Sequence, residues 1–254
     1  MTTLTIAAVV TCMTDAERPY LSACLASLLK QSLPLGEIIL LIEERNAWID
    51  TIPEAADARV RVLRRPLAPL GAMRNVGVEA ATCEWIAFCD GDDAWSVDKN
   101  AGAAATILAT QADVVGTDHC LCTEYLIPCC YARARHIPMP SGWTVRRSLL
   151  REHPFDGTLR CIEDGEWWQR TAPVSRRRRC KQGMLWYRVR GGSLSDKVPS
   201  KRRKHLLVKL MGPWPVRLWT MPLSRLARWW WWHDRYDWVN FWGPLPPEPP
   251  VHVR

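Results

Sequence analysis

The chain has 254 residues, 48% of them hydrophobic, which is enough to bury a core and excludes disordered and collagen-like chains. Its net charge of +8 hides a split: residues 1–130 carry 9 basic and 17 acidic side chains, residues 131–254 carry 25 and 9. Such an asymmetry points to an anionic partner met mainly by the second half.

The elements follow in chain order. Residues 4–10 form a continuous apolar run of strand length, and Thr14 with Glu17 gives a capping-box spacing for a helix in which Leu21, Leu25, Leu28 and Leu29 recur at helical intervals. Ile38–Ile42, ending in Glu43 and Glu44, and Val60–Leu63, ending in Arg64 and Arg65, read as further buried strands. Gly71 to Ala81 reads as a helix, Trp85–Cys89 as a strand ending at Asp90, Val97–Thr110 as a helix and Asp113–Gly116 as a short strand. Strands alternating with helices predict an α/β fold with a mostly parallel sheet flanked by helices, whose ligands sit at the carboxyl ends of the strands. Asp90-Gly91-Asp92-Asp93 stands at such an end. Three carboxylates in four residues repel one another unless a cation joins them, and Mg²⁺ or Mn²⁺ is the hard, oxygen-seeking ion that suits them.

Ten cysteines behind an N-terminus without a basic, apolar, small-residue leader pattern read as reduced thiols of a cytoplasmic protein. Cys120, Cys122, Cys129 and Cys130, near His119 and His136, have the residue types for zinc but no Cys-x-x-Cys pair, so zinc is not the expected reading. No apolar run approaches the ~20 residues of a membrane-spanning helix.

Five segments in order, residues 37–42 (EIILLI), 71–79 (GAMRNVGVE), 85–93 (WIAFCDGDD), 155–170 (FDGTLRCIEDGEWWQR) and 187–195 (YRVRGGSLS), make the chain resemble a family 2 glycosyltransferase of the GT-A, Rossmann-like fold over roughly residues 4–196. The resemblance implies a catalytic domain over 1–196 that binds a nucleotide sugar. Thr11 and Glu43 would line the uracil and ribose site, Arg74 and Asn75 would shape the donor pocket, and Asp90 would face the ribose or sugar. Asp92 would ligate the divalent cation that bridges the diphosphate, and Asp164 would be the catalytic base. Glu163 pairs with Asp164 in the motif, and Trp167 and Trp168 offer an acceptor wall or, equally, core residues of a helix. An exposed helix start is the alternative for Glu163 and Asp164.

The chemistry divides accordingly. A cation absorbs the charge of a diphosphate leaving group, and a carboxylate activates an acceptor hydroxyl, so in-line displacement inverts the sugar. The family has Pro where Thr11 stands, an aspartate at Ile42 and His at Arg190. Arginine cannot ligate a cation, but Arg190 can pair with a diphosphate through its fork of donors.

After residue 196 the composition changes. Lys201-Arg202-Arg203-Lys204 opens a segment, 197–254, that holds eight of the fifteen tryptophans, with Trp229–Trp232 in a row and a Pro-rich tail. A helical extension lying on an anionic membrane surface suits indole and guanidinium side chains together; packing onto the catalytic domain or a second subunit is its rival. Arg176–Arg179 and Lys181 read as a solvated basic loop, and no nucleic-acid module surrounds them. The expected function is transfer of a sugar from a uridine diphosphate donor to a glycan or lipid-linked acceptor at the cytoplasmic face of a membrane. A glycosyltransferase-like binding domain without turnover, or anionic-polymer binding by the basic half, are the alternatives.

Overall fold

The computed structural model describes residues 4–132 and 139–190 and the strand at 236–238. Strand β1 (Ile6–Cys12) leads through a turn at Asp15–Glu17 into helix α1 (Arg18–Leu29) and strand β2 (Glu37–Glu43). Strand β3 (Val60–Arg65), helix α2 (Leu70–Ala80), strands β4 (Trp85–Asp90) and β5 (Ala94–Trp95) and helix α3 (Lys99–Thr110) follow. Then come strands β6 (Val114–Cys122), β7 (Pro128–Ala132) and β8 (Trp143–Arg146), helices α4 (Arg147–Glu152) and α5 (Glu163–Arg170) and strands β9 (Arg177–Arg188) and β10 (Tyr236–Trp238).

Strands β3, β2, β1 and β4 lie side by side and parallel, each joined by a crossover. From β4 the sheet continues antiparallel through β8, β6 and β7, while β9 runs parallel to β6 and reaches back to β5. The apolar runs of β1, β2 and β4 are buried on both faces, as helix-covered parallel strands are. Ile6, Ala8, Val10 and Cys12 pack with Leu21, Leu25 and Leu28 of α1 and Ile107 of α3, whereas Ala7 and Val9 pack with Met73 and Val78 of α2 and Trp167 of α5. The two-residue period of a strand thereby sends Thr11, and Asp90 opposite it in register, to the α2 and α5 side.

Helix α2 approaches this sheet closely. A methyl group on Gly77 would stand 2.4 Å from Val9 Cγ1, so only glycine permits the observed distance between helix and strand. A second tight approach comes where β9 bulges: Thr117 pairs with Cys180 but Asp118 with Met184, so residues 181–183 leave the ladder. Gly183 in that bulge has φ +79° and lies against the backbone of Lys99 at the start of α3, a position closed to any other residue.

Several expectations change here. The strand expected at Asp113–Gly116 continues to Cys122, because buried Thr117, Asp118 and His119 interrupt its apolar pattern without ending it. Arg176–Arg179 is not a solvated loop: Arg177–Arg188 is a strand in which Arg177 donates to Thr171 Oγ1 at 2.9 Å and Arg179 to Asp118 at 2.6 Å. Of the extension expected to be helical, only Tyr236–Trp238 is described, and it is an antiparallel strand on the edge of β7, whose unpaired backbone groups it satisfies. The rest of that segment, with its tryptophan row, lies outside the described residues. No described helix is long and apolar enough to cross a membrane, and no three described His, Cys, Asp or Glu side chains are grouped to hold a metal. His136 and the side chains of Cys129 and Cys130 are not described.

Lys99 is fully buried, its Nζ 3.6 Å from the Trp95 ring centroid and without a hydrogen-bond partner. Burial pushes its pKa down to about 7, with Cys89 and Cys180 pulling the other way. The unfolded chain therefore holds a proton that the folded chain does not between about pH 7 and about 10.5, so stability rises with pH across that window. Lys99→Met is expected to remove this slope and to raise stability at pH 6 by about 1–3 kcal/mol. Urea denaturation of both proteins across the pH range checks it.

Candidate functional site

The carboxyl ends of β1 and β4 meet the amino end of α5 around one guanidinium. Arg74, on α2 and 2% exposed, reaches Glu163 Oε1 at 2.6 Å and Asp90 Oδ1 at 3.2 Å. Thr11 Oγ1 donates to the same Asp90 oxygen at 2.9 Å, and Ser141 Oγ accepts the Asp90 backbone N–H at 3.0 Å. Burial alone would lower the Arg74 pKa, but Asp90, Glu163 and Asp164 more than offset it and hold the group above its ordinary value. Four residues expected at the site, Thr11, Arg74, Asp90 and Glu163, are thus one connected network.

Glu163 enters it because the chain turns sharply before α5. Ile162 has φ +58°, the left-handed region a β-branched residue rarely adopts, and such strain costs on the order of 1–3 kcal/mol. The turn sends Glu163 inward, so it is not part of an exposed helix start. Asp164, the next residue, is half-buried and accepts the Gly165 backbone N–H at 2.8 Å.

A second ion pair lies on the turn after β4. Arg190 Nε donates to Asp92 Oδ2 at 2.7 Å, and a terminal nitrogen lies 3.6 Å from Glu17 Oε1. Burial pushes Asp92 upward, repulsion from Asp90 adds to it, and Arg190 pulls back without cancelling the rise. Asp93 is fully buried and faces inward, accepting the Arg188 backbone N–H at 2.9 Å. Burial raises Glu17 to about 7, against hydrogen bonds from Thr14.

The donor set does not fit the Mn²⁺ or Mg²⁺ expected on Asp92. A cation ligated there would share its surroundings with the +1 charge of Arg190, which has no lone pair to offer. Asp93 is turned into the core, and Asp90 Oδ1 already serves Thr11 and Arg74.

Other expected residues have different roles. Glu43 ends β2 on the same sheet edge, but is buried against Arg45 at 2.5 Å and has no described bond to Asp90. Asn75 clamps the Phe155 backbone, donating to its carbonyl at 2.8 Å and accepting its N–H at 3.0 Å. Trp167 is fully buried, donates to the His153 carbonyl and packs 5.4 Å from Trp143, so it is core and not an acceptor wall. Trp168 is likewise engaged, 5.1 Å from Trp143 and under the Arg177 guanidinium at 4.1 Å. Sequence reasoning missed Arg188, Glu17 and Ser141. Arg188 was visible inside the Tyr187–Ser195 segment, while Ser141 carried no signal.

Strand-end carboxylates on a parallel sheet, with a helix start bringing a further acid to them, define an α/β domain of the GT-A type. Residues 8–122 match the model for glycosyl transferase family 2. Over 101 residues it is 35% identical to the protein named "Uncharacterized glycosyltransferase EpsJ" of Bacillus subtilis, covering 39% of this chain and 29% of that one. EpsH of the same organism, also named a glycosyltransferase, is 42% identical over 77 residues, 29% of this chain and 22% of its own. The chain thus spans less than a third of the length of these relatives. Residues 1–349 of S. aureus TarS, solved with UDP-GlcNAc, share the fold at a TM-score of 0.62 and 18% identity, over 77% of this chain and 62% of that one. The same protein solved with UDP aligns at a TM-score of 0.61 and 18% identity, over 73% and 61%.

Removing Glu163 would leave Arg74 buried with only the part-exposed Asp90. Glu163→Ala is expected to cost about 3 kcal/mol, and the double variant Arg74→Met with Glu163→Met to recover much of it. Guanidinium chloride denaturation of the three proteins checks the order.

Proposed function

We propose that the chain transfers a sugar from a uridine diphosphate donor to a hydroxyl of a glycan or lipid-linked acceptor, with inversion and with Asp164 as the general base. The observation that carries this reading is the Arg74 network. It fixes Glu163 in an ion pair and leaves Asp164, one residue on, as the half-buried carboxylate beside the strand ends. The UDP-GlcNAc and UDP complexes of TarS support the donor class.

An acceptor hydroxyl has a pKa far above 7, so its attack needs a carboxylate within hydrogen-bond reach. Asp164 takes the proton as the acceptor oxygen bonds to the anomeric carbon, and the bond from that carbon to the diphosphate oxygen breaks on the opposite face. Thr11 and Glu43, at the ends of β1 and β2, lie on the side where the nucleoside would rest. The acceptor is met at an anionic membrane surface through the basic, tryptophan-rich residues 197–254, a reading that rests on composition.

Protein incubated with a panel of nucleotide sugars and lipid-linked or glycan acceptors, read by release of free nucleotide, tests the activity. Asp164→Asn is expected to lower kcat by about 10²–10⁴-fold while UDP affinity stays within about threefold. Absence of transfer from every donor, or wild-type activity of Asp164→Asn, would sink the reading.

A further inference from the structure

We propose that Arg190 supplies the positive charge at the diphosphate of the bound nucleotide in place of a divalent cation, and that Asp92 is the carboxylate that aims it. The inference rests on the nucleotide-sugar reading above and concerns how that site offsets phosphate charge.

Arg190 is held rather than free. Its side chain is 9% exposed, its Nε is anchored on Asp92 at 2.7 Å, and Glu17 stands 3.6 Å from one terminal nitrogen. A guanidinium has five N–H donors, so anchoring through Nε leaves its terminal nitrogens available for the paired oxygens of a phosphate. Asp92 thereby acts through Arg190 as a positioning residue.

Arg188, two residues earlier on β9, adds an independent observation. It is 3% exposed, and its Nε donates to the Asp92 carbonyl at 2.6 Å. One of its terminal nitrogens donates to the Glu124 carbonyl, and the other is buried with no hydrogen-bond partner among the described residues. An unsatisfied cationic donor out of water costs on the order of 1–3 kcal/mol or more, which an anionic oxygen would recover. Arg188 and Arg190 also face one aromatic ring, with their guanidinium carbons 4.3 Å and 5.9 Å from the Tyr20 centroid. Two cations are thus gathered on one ring beside the acidic turn.

Calorimetric titration of UDP, and of uridine as a probe without phosphate, into the full chain in excess EDTA or in Mn²⁺ decides the matter. The expected result is UDP binding in EDTA that Mn²⁺ changes by less than about threefold. Arg190→Ala is expected to weaken UDP by about 10- to 100-fold and to leave uridine unchanged, the scale of lost charge-assisted hydrogen bonds. Arg190→His, which restores a group able to ligate metal, is expected to bind UDP weakly in EDTA and to regain affinity in Mn²⁺. The charge-retaining Arg190→Lys, expected between wild type and alanine, serves if the alanine protein does not fold. UDP binding by the wild type only in Mn²⁺ overturns the proposal and leaves the nucleotide reading standing, and so does equal UDP affinity of wild type and Arg190→Ala. No UDP binding in either condition removes the nucleotide reading, and the proposal with it.

Discussion

Arg74 is a guanidinium taken almost wholly out of water, and a lone charge in that position would cost several kcal/mol. The protein offsets it with carboxylates from two elements distant in sequence, Asp90 at the end of β4 and Glu163 at the start of α5. The remaining geometry of the site depends on this arrangement. The strained turn at Ile162 accompanies the inward course of Glu163, and Asp164 follows it in the first turn of α5. Phe155, clamped by Asn75 and 5.8 Å from the Arg74 guanidinium carbon, closes the loop that leads toward α5 over the same charge.

The site therefore has two charge centres with different surroundings. Around Arg74 the ion pairs join a buried guanidinium to buried Glu163 and part-exposed Asp90, which suits a fixed scaffold. Around Asp92 and Arg190 the groups are partly open, and buried Arg188 retains an unused donor.

Much of the parallel half was legible because its signals are local. Continuous apolar runs marked β1, β2 and β4. The antiparallel half was less legible. β6 buries Thr117, Asp118 and His119, so its length could not be read from hydrophobicity, and the arginine run of β9 shows no alternation although alternate side chains turn toward Thr171 and Asp118. The roles of Trp167 and Asn75 depend on which neighbour stands opposite, Trp143 in one case and the Phe155 backbone in the other. No residue type or spacing encodes that. Arg190 was visible as a departure from the family that the chain resembles, and only its distance to Asp92 gave the departure a physical meaning.

Gly77 has no functional group and touches no ligand, yet it lies on α2 one turn beyond Arg74, where helix and β1 come within a methyl group of clashing. The clearance at Gly77 sets how far the helix stands above the sheet, and so whether an arginine side chain of fixed length can span from α2 to Asp90 and Glu163 together. The position acts as a gauge block for the site. Widening that gap would be felt as a displaced Arg74 guanidinium, a full helical turn from where the atoms were added.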